Sequence, residues 1–267
     1  MLAFANAKIN LGLNVTGKRA DGYHNLETVF YPVRLSDAVE ITEAEHTFCE
    51  VRGIEVPGDT GDNICLKAYE LLKRDFSLPA LQITLLKNIP VGAGLGGGSA
   101  DAAFLIKLIN TKYQLGLSVD KMEDYARVLG ADCAFFIRNE PAYAVERGDH
   151  FVPLSIDLSA WYMVLVKPPV HVSTADAFAG LSPAAPAAPV SELIHLPVTE
   201  WKGRLVNDFE GPIFAKYPEI AAIKTALYHA GATFALMSGS GSSVFAIFDK
   251  AVQLKELEKE NKVFYNI

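Results

Sequence analysis

The sequence predicts a chain that mixes strands and helices and is large enough for one big domain or two of ordinary size. Three observations predict it. The chain has 267 residues and is 50% apolar, enough for a substantial core. Its apolar spacing changes along the chain between strand-like and helix-like. Its composition shifts near Asp149–Asp157, where a domain boundary is expected.

"AKINLGLNVTG" reads as a strand that ends in a turn at Thr16–Gly17, and "RADGYHNLETVFYPV" as an Asp-Gly turn entering a second β-rich stretch. "DAVEIT" and "EVRGIEV" read as strands of a meander. "NICLKAYELLKRDF" spaces Ile64, Leu66, Ala68, Leu71 and Leu72 as an amphipathic helix does. "LQITLLKNIP" is a strand that stops at Pro90. "SADAAFLIKLINTKY" is a largely buried helix with Ser99 as N-cap and Asp101 in its first turn, where a negative charge suits the dipole. "SVDKMEDYARVLG" is a cleaner helix: Ser118 caps it, Met122, Tyr125, Ala126 and Leu129 form its stripe, and Gly130 ends it. Past the boundary, "WYMVLVKP" starts a second β-containing unit. "LSPAAPAAP" (Leu181–Pro189) is expected to be a mobile surface loop. "YPEIAAIKTALYHAG" is a helix closed by Gly231, and "FALMSGSGSSVFAIF" is a strand, a small-residue turn and a strand.

Net charge is −7 with no block of lysine or arginine, which argues against a nucleic-acid partner. The first residues lack a basic region ahead of their apolar run, and "WYMVLV" is too short to span a bilayer. Cys49, Cys65 and Cys133 are too few and too scattered for a disulfide framework or a zinc site, and the six histidines form no His-Glu-x-x-His pattern. A cytoplasmic protein with no membrane partner is expected.

Gly92, Gly94, Gly96, Gly97, Gly98, Ser99 and Ala100 crowd one eleven-residue window that begins with Pro90. Glycine lets backbone approach a ligand and adopt positive φ, successive bare N–H groups make an anion-binding concavity, and the following helix N-terminus adds positive potential. Strand, bare loop and helix together point to a phosphate cradle. It is not the Walker kind, because Gly97-Gly98-Ser99 has no lysine. Gly92, Gly94 and Gly97 fit G-x-G-x-x-G, but the residues about 20 positions on, Val119–Asp124, open a helix where a dinucleotide site needs a strand-end carboxylate.

Two isolated charges stand out. Asp132, in "LGADCAFF", has apolar neighbours and needs a cationic partner or a function; Lys8, in "NAKINL", is a lone cation in a short apolar strand. A buried ion pair serving only the fold explains both equally well. In "DGYH", Tyr23 can stack on a planar base and His24 can bond a base edge, or the two are a core tyrosine and a turn histidine.

"PVGAGLGGGSADAA" resembles the second signature motif of the GHMP small-molecule kinases, P-x-x-x-G-L-G-S/G-S/G-S-A. "AKINLGLNVTGKRADGYHNLETVF" resembles the first, and "MSGSGSSVFAIF" the third. The resemblance covers essentially the whole chain. It implies an α+β, two-domain GHMP kinase fold: an N-terminal ATP-binding domain with a mixed sheet and helices (1–153), a C-terminal ferredoxin-like α/β sandwich (154–267), and an active site in the cleft between them. Within the family, the closest likeness is to an enzyme of isoprenoid precursor synthesis that phosphorylates a small cytidine diphosphate-linked alcohol. That implies ATP and Mg2+ as cofactors and a monomer or homodimer.

The resemblance also assigns residues. Lys8 and Asp132 stand at the reacting hydroxyl as the catalytic pair. The triphosphate lies on Pro90, Val91, Gly92, Ala93, Gly94, Leu95, Gly96, Gly97, Gly98, Ser99 and Ala100, with Gly239, Ser240 and Gly241 closing over it and Ser99 available to the magnesium. Asn63 and Lys87 lie near the ATP base or ribose, although a helix cap and a solvated lysine account for them as well. Asn10, Tyr23, His24, Thr174 and Phe178 bind the cytidine substrate. A dinucleotide-dependent oxidoreductase and a non-catalytic nucleotide-binding module are the alternatives from other classes.

Overall fold

The structure, a computed structural model, describes residues 1–57, 60–181, 183 and 185–267; of Thr60 and Thr174 only the backbone is described. Ser182 and Ala184, in the expected Leu181–Pro189 loop, lie outside the described residues. Contacts divide the chain into two compact units, neither a single run: Met1–Ala7, Leu35–Val91 and Gly96–Glu140 form one, and Lys8–Arg34, Gly92–Leu95 and Pro141–Ile267 the other. Two long strands, β1 (Leu2–Lys18) and β2 (His24–Glu43), contribute residues to both.

In the first unit, β3 (Phe48–Gly53), α1 (Ile64–Asp75) and β4 (Leu81–Lys87) form a βαβ crossover, so β3 and β4 run parallel, Phe48 opposite Gln82 and Gly53 opposite Lys87. The second half of β2 pairs antiparallel with β4, Ala38 opposite Leu86 through Glu43 opposite Leu81. Asn63 caps α1 by accepting from the Cys65 N–H at 2.8 Å, and Cys65, Ala68, Tyr69 and Leu72 are its buried face. α2 (Gly97–Lys112) is buried nearly all round. α3 (Val119–Leu129) starts at the expected Ser118 cap, whose hydroxyl accepts from the Lys121 N–H, and ends at Gly130. The single-turn α4 (Phe135–Arg138) follows.

Two sequence expectations are corrected here. "DAVEIT" is not a separate strand but the end of β2; Pro32 falls between the segments of β2 that pair with β4 and with β5 (Ala142–Val145), where neither ladder needs its missing N–H. β3 joins no meander and stops at Gly53, where a Cβ would stand 2.3 Å from the Lys87 carbonyl oxygen.

In the second unit, the first half of β2 pairs with β5, and β5 with β6 (His150–Pro153). A four-stranded antiparallel sheet follows from β7 (Tyr162–Lys167), β8 (Phe234–Met237), β9 (Val244–Phe248) and β10 (Lys262–Tyr265), in the order β10-β7-β9-β8. Helices α5 (Thr174–Ala179), α6 (Val190–Leu193), α7 (Glu210–Lys216) and α8 (Pro218–His229) lie between β7 and β8 in the chain, and α9 (Lys255–Glu258) between β9 and β10. This is the split β-α-β arrangement of ferredoxin-like sandwiches. Val164, Val166, Ile220, Ile223, Leu227, Ala235 and Ala246 close its core. The strand–turn–strand reading of "FALMSGSGSSVFAIF" is met by β8 and β9.

Candidate active site

Gly92, Gly94 and Gly96 all have positive φ, at 60°, 77° and 70°. Gly96 is therefore the N-cap of α2, in the left-handed region, and makes no side-chain cap bond. Ser99 is not the cap: the third helical residue, it turns its hydroxyl to the Cys133 thiol. The first amides of α2 consequently have no capping side chain, as an anion site requires.

Within the second unit, three segments distant in sequence meet at Gly92–Leu95. The Lys8 N–H donates to the Leu95 carbonyl at 3.0 Å, and the Ser238 hydroxyl to the Gly94 carbonyl at 2.9 Å. The Asn10 N–H donates to the Ser238 hydroxyl at 3.3 Å. A Cβ on Gly94 would lie 1.9 Å from the Ser238 carbonyl oxygen, and one on Gly239 3.2 Å from Gly94 Cα. Only glycine permits the first approach, and the second is tighter than a Cβ ordinarily makes.

Lys8 is 4% exposed. Its Nζ donates to Asn10 Oδ1 at 2.7 Å and lies 4.5 Å from the centroid of the Phe30 ring. Asn10 Nδ2 donates to Thr28 Oγ1 at 3.0 Å, and Thr28 donates to the Gly12 carbonyl at 2.5 Å. This chain fixes which face of the Asn10 amide meets the ammonium. In the first unit, Asp132 is half-buried in the turn after Gly130, one residue ahead of buried Cys133. Burial pushes the Cys133 thiol up to about 11, against the opposing Ser99 hydrogen bond.

Lys87 is not solvated. Its ammonium is buried between Asp37 Oδ2 and Asp101 Oδ2, the latter at 2.6 Å. Burial alone would lower its pKa, but the two carboxylates outweigh that and raise it. Burial pushes Asp101 up to about 7, with Lys87 opposing and Asp37 adding to the rise, and its Oδ1 is buried without a hydrogen-bond partner. A carboxyl whose folded pKa is raised holds its proton while the unfolded chain releases it, so its contribution to stability falls as pH rises from about 4 to about 7. The Asp101→Asn variant lacks that titration. Relative to wild type it should gain stability progressively across this window; a urea-unfolding difference that does not change with pH would refute the sign.

His24 and Phe178 are brought together, with ring centroids 4.8 Å apart and planes 21° from parallel, and Phe209 meets Phe178 edge-on at 4.9 Å. Tyr23 is 60% exposed beneath the Arg147 guanidinium, 5.5 Å away. Thr174 opens α5. Gly239 and Gly241 have positive φ, and Ser240 between them is half-buried.

Sequence reasoning missed the groups that hold these segments. Buried Asn207 donates from Nδ2 to the carbonyls of Met237 and Gly239, each at 2.8 Å. A Cβ on Gly92 would lie 2.6 Å from His171 Cε1, so this imidazole sits against the loop. "LVNDFE", two polar residues between apolar ones, was the available signal for Asn207; nothing local marks His171.

Among the described residues no cluster of three or more His, Cys, Asp or Glu is placed to hold a metal ion.

Residues 63–140 match the family described as GHMP kinases N terminal domain, and residues 192–266 that described as GHMP kinases C terminal. The 4-diphosphocytidyl-2-C-methyl-D-erythritol kinase of Bacteroides fragilis is 52% identical over 264 residues, covering 97% of this chain and 96% of the relative. A crystal structure of 4-(cytidine 5'-diphospho)-2C-methyl-D-erythritol kinase aligns with a TM-score of 0.83 at 29% identity, covering 99% of this chain and 98% of that one. A mevalonate kinase crystal structure shares the fold alone, with a TM-score of 0.72 at 15% identity over 99% and 98% of the two chains. Matches to both halves, and a relative this similar over nearly the full length, establish that the chain belongs to the GHMP kinase family.

Proposed function

We propose that this chain transfers the γ-phosphoryl group of ATP to the 2-hydroxyl of 4-diphosphocytidyl-2-C-methyl-D-erythritol, releasing ADP and the 2-phosphate, in non-mevalonate isoprenoid precursor synthesis in the cytoplasm. The observation that carries this reading is the meeting of Lys8–Asn10, Gly92–Leu95 and Ser238–Gly241 at one bare loop. Phosphoryl transfer asks a protein mainly for positioning and for charge stabilisation. The loop amides supply the second, and Asn10 orients the Lys8 ammonium for the first.

We assign residues 1–153 and 154–267 as the N- and C-terminal domains of the family. In this reading Asp132 accepts the proton of the attacking hydroxyl, while Lys8 orients that hydroxyl and stabilises its developing negative charge. Ser99 serves the magnesium, which neutralises phosphate charge when bound. Gly239, Ser240 and Gly241 cover the phosphates, and Asn63 serves the nucleoside. The ammonium of Lys87 is already held by two carboxylates, which points to an indirect part for it. His24 and Phe178, stacked on each other, give the cytosine an aromatic wall, and Tyr23 and Thr174 complete that subsite.

ADP release in a coupled assay tests the reaction, with mevalonate and homoserine as control acceptors and NAD(P) absorbance followed in parallel. Turnover on the cytidyl alcohol alone is expected; no ADP above background, or equal turnover on mevalonate, would overturn it. Tyr23→Ala should raise KM for the cytidyl substrate about tenfold, the loss of one base-stacking contact, and leave KM for ATP near wild type. Equal rises in the two constants would remove Tyr23 from the cytosine subsite.

A further inference from the structure

Asp37, which no motif contains, is fully buried in the first unit and reaches both ends of the glycine loop. Its Oδ1 accepts from the Asn88 N–H at 2.5 Å and the Ile89 N–H at 2.8 Å, the two residues just ahead of Pro90. Its Oδ2 accepts from the Lys87 ammonium, which also donates to Asp101 in the second turn of α2. Gly97, the first residue of α2, is packed on the same spot: a Cβ there would lie 2.9 Å from Ile89 Cγ2 and 3.5 Å from Asp37 Oδ2. The side chains of Lys87, Asp37 and Asp101 are 3%, 0% and 3% exposed, so the three charges face one another rather than water.

Such a cluster is a poor device for stability alone, because well-packed apolar side chains of similar volume are often as stable or more so. It does fix geometry: each hydrogen bond has one angle and one length, and β2, β4 and α2 each supply one member. The loop it brackets contains three left-handed glycines, the residues that lose most conformational freedom on ordering. A ligand that must order such a loop binds less tightly than one that meets it already arranged.

We propose that Asp37, Lys87 and Asp101 are positioning residues: a clamp that sets the distance between the start of the glycine loop and the first turns of α2, and so holds the loop amides ready for the nucleotide phosphates. None of the three touches the nucleotide; they act through Asn88, Ile89 and Gly97. The inference rests on the kinase reading above, and its test separates the two.

Lys87→Met strands two buried carboxylates and will be destabilised. The neutral triple variant Asp37→Asn, Lys87→Met, Asp101→Asn removes all three charges at nearly constant volume. Binding of a fluorescent ADP analogue, KM for both substrates and urea unfolding are measured on wild type and both variants. Expected is a rise of about tenfold in the ADP dissociation constant and in KM for ATP, with KM for the cytidyl substrate within about twofold, in the triple variant even where its urea midpoint matches wild type. A triple variant with wild-type ADP affinity makes the cluster purely structural and overturns the proposal. Amide hydrogen exchange on the wild type needs no variant to fold: the Asn88 and Ile89 amides should be protected without nucleotide and change little when ADP is added. Protection that appears only with ADP overturns it too. A wild type that binds no ADP overturns the kinase reading itself, and this inference with it.

Discussion

Asp132→Asn is expected to lower kcat by about a thousandfold, the range that loss of a positioned proton acceptor produces, while leaving KM for both substrates within a few fold. Lys8→Met should have an effect of similar size, because in the proposed role a buried cation meeting developing charge contributes mainly in the transition state. The two differ in their effect on the fold. Asp132 is half-buried in a turn, and its asparagine variant should unfold close to wild type. Removing Lys8 leaves the buried Asn10 Oδ1 without its 2.7 Å donor, a loss of about 1–3 kcal/mol for a stranded acceptor. In the proposed reading both residues serve one hydroxyl, so the double variant should be hardly slower than the worse single one. Rapid-quench turnover with urea unfolding on the same samples checks both statements. Near-wild-type kcat in either folded single variant, or losses that multiply in the double, would remove the assigned roles.

Gly94→Ala is the other large effect, and it comes from sterics alone. The new Cβ would stand 1.9 Å from the Ser238 carbonyl oxygen, at a φ of 77° that side chains avoid. The oxygen has little room to withdraw: the Ser238 N–H is bonded to the Ser243 carbonyl at 2.9 Å, and Asn207 holds the carbonyls on either side of Ser238. Either the loop or the β8–β9 turn must move, and both carry the three-segment meeting. A loss of about 3 kcal/mol or more of stability, or of at least tenfold in ATP affinity, is expected. Gly211→Ala is the control, since a Cβ there would meet nothing within 4 Å and alanine favours a helical position. A Gly94→Ala protein with wild-type unfolding and ATP affinity would show that the loop packs otherwise.

The parts legible in the sequence are those set by local chemistry. Ser118 capping α3, the helix α1 and the small-residue turn between β8 and β9 each follow from a few neighbouring residues, although the buried face of α1 is Cys65, Ala68, Tyr69 and Leu72 and keeps only Ala68 and Leu72 of the expected stripe. The glycine loop was legible because so many bare residues have few other uses. What escaped was decided by partners far away in the chain. Nothing near Lys87 shows that Asp37 and Asp101 will surround it, so a solvated lysine was as reasonable as a ligand contact. Ser99 had the composition of a cap, but the left-handed turn at Gly96 claimed that place first. The parallel pairing of β3 with β4 depends on α1 crossing over, which strand patterns cannot reveal. His171 is placed by a loop, and loop paths carry little periodicity.

The order β10-β7-β9-β8 has a consequence for synthesis of the protein. β7 emerges from the ribosome about 100 residues ahead of β10, its partner on one side, and β9 arrives well before β10 on the other. Until β10 follows, the nascent chain carries a bare row of backbone donors and acceptors along Tyr162–Lys167, a template for any passing strand. β10 thus acts as a latch that shuts that row.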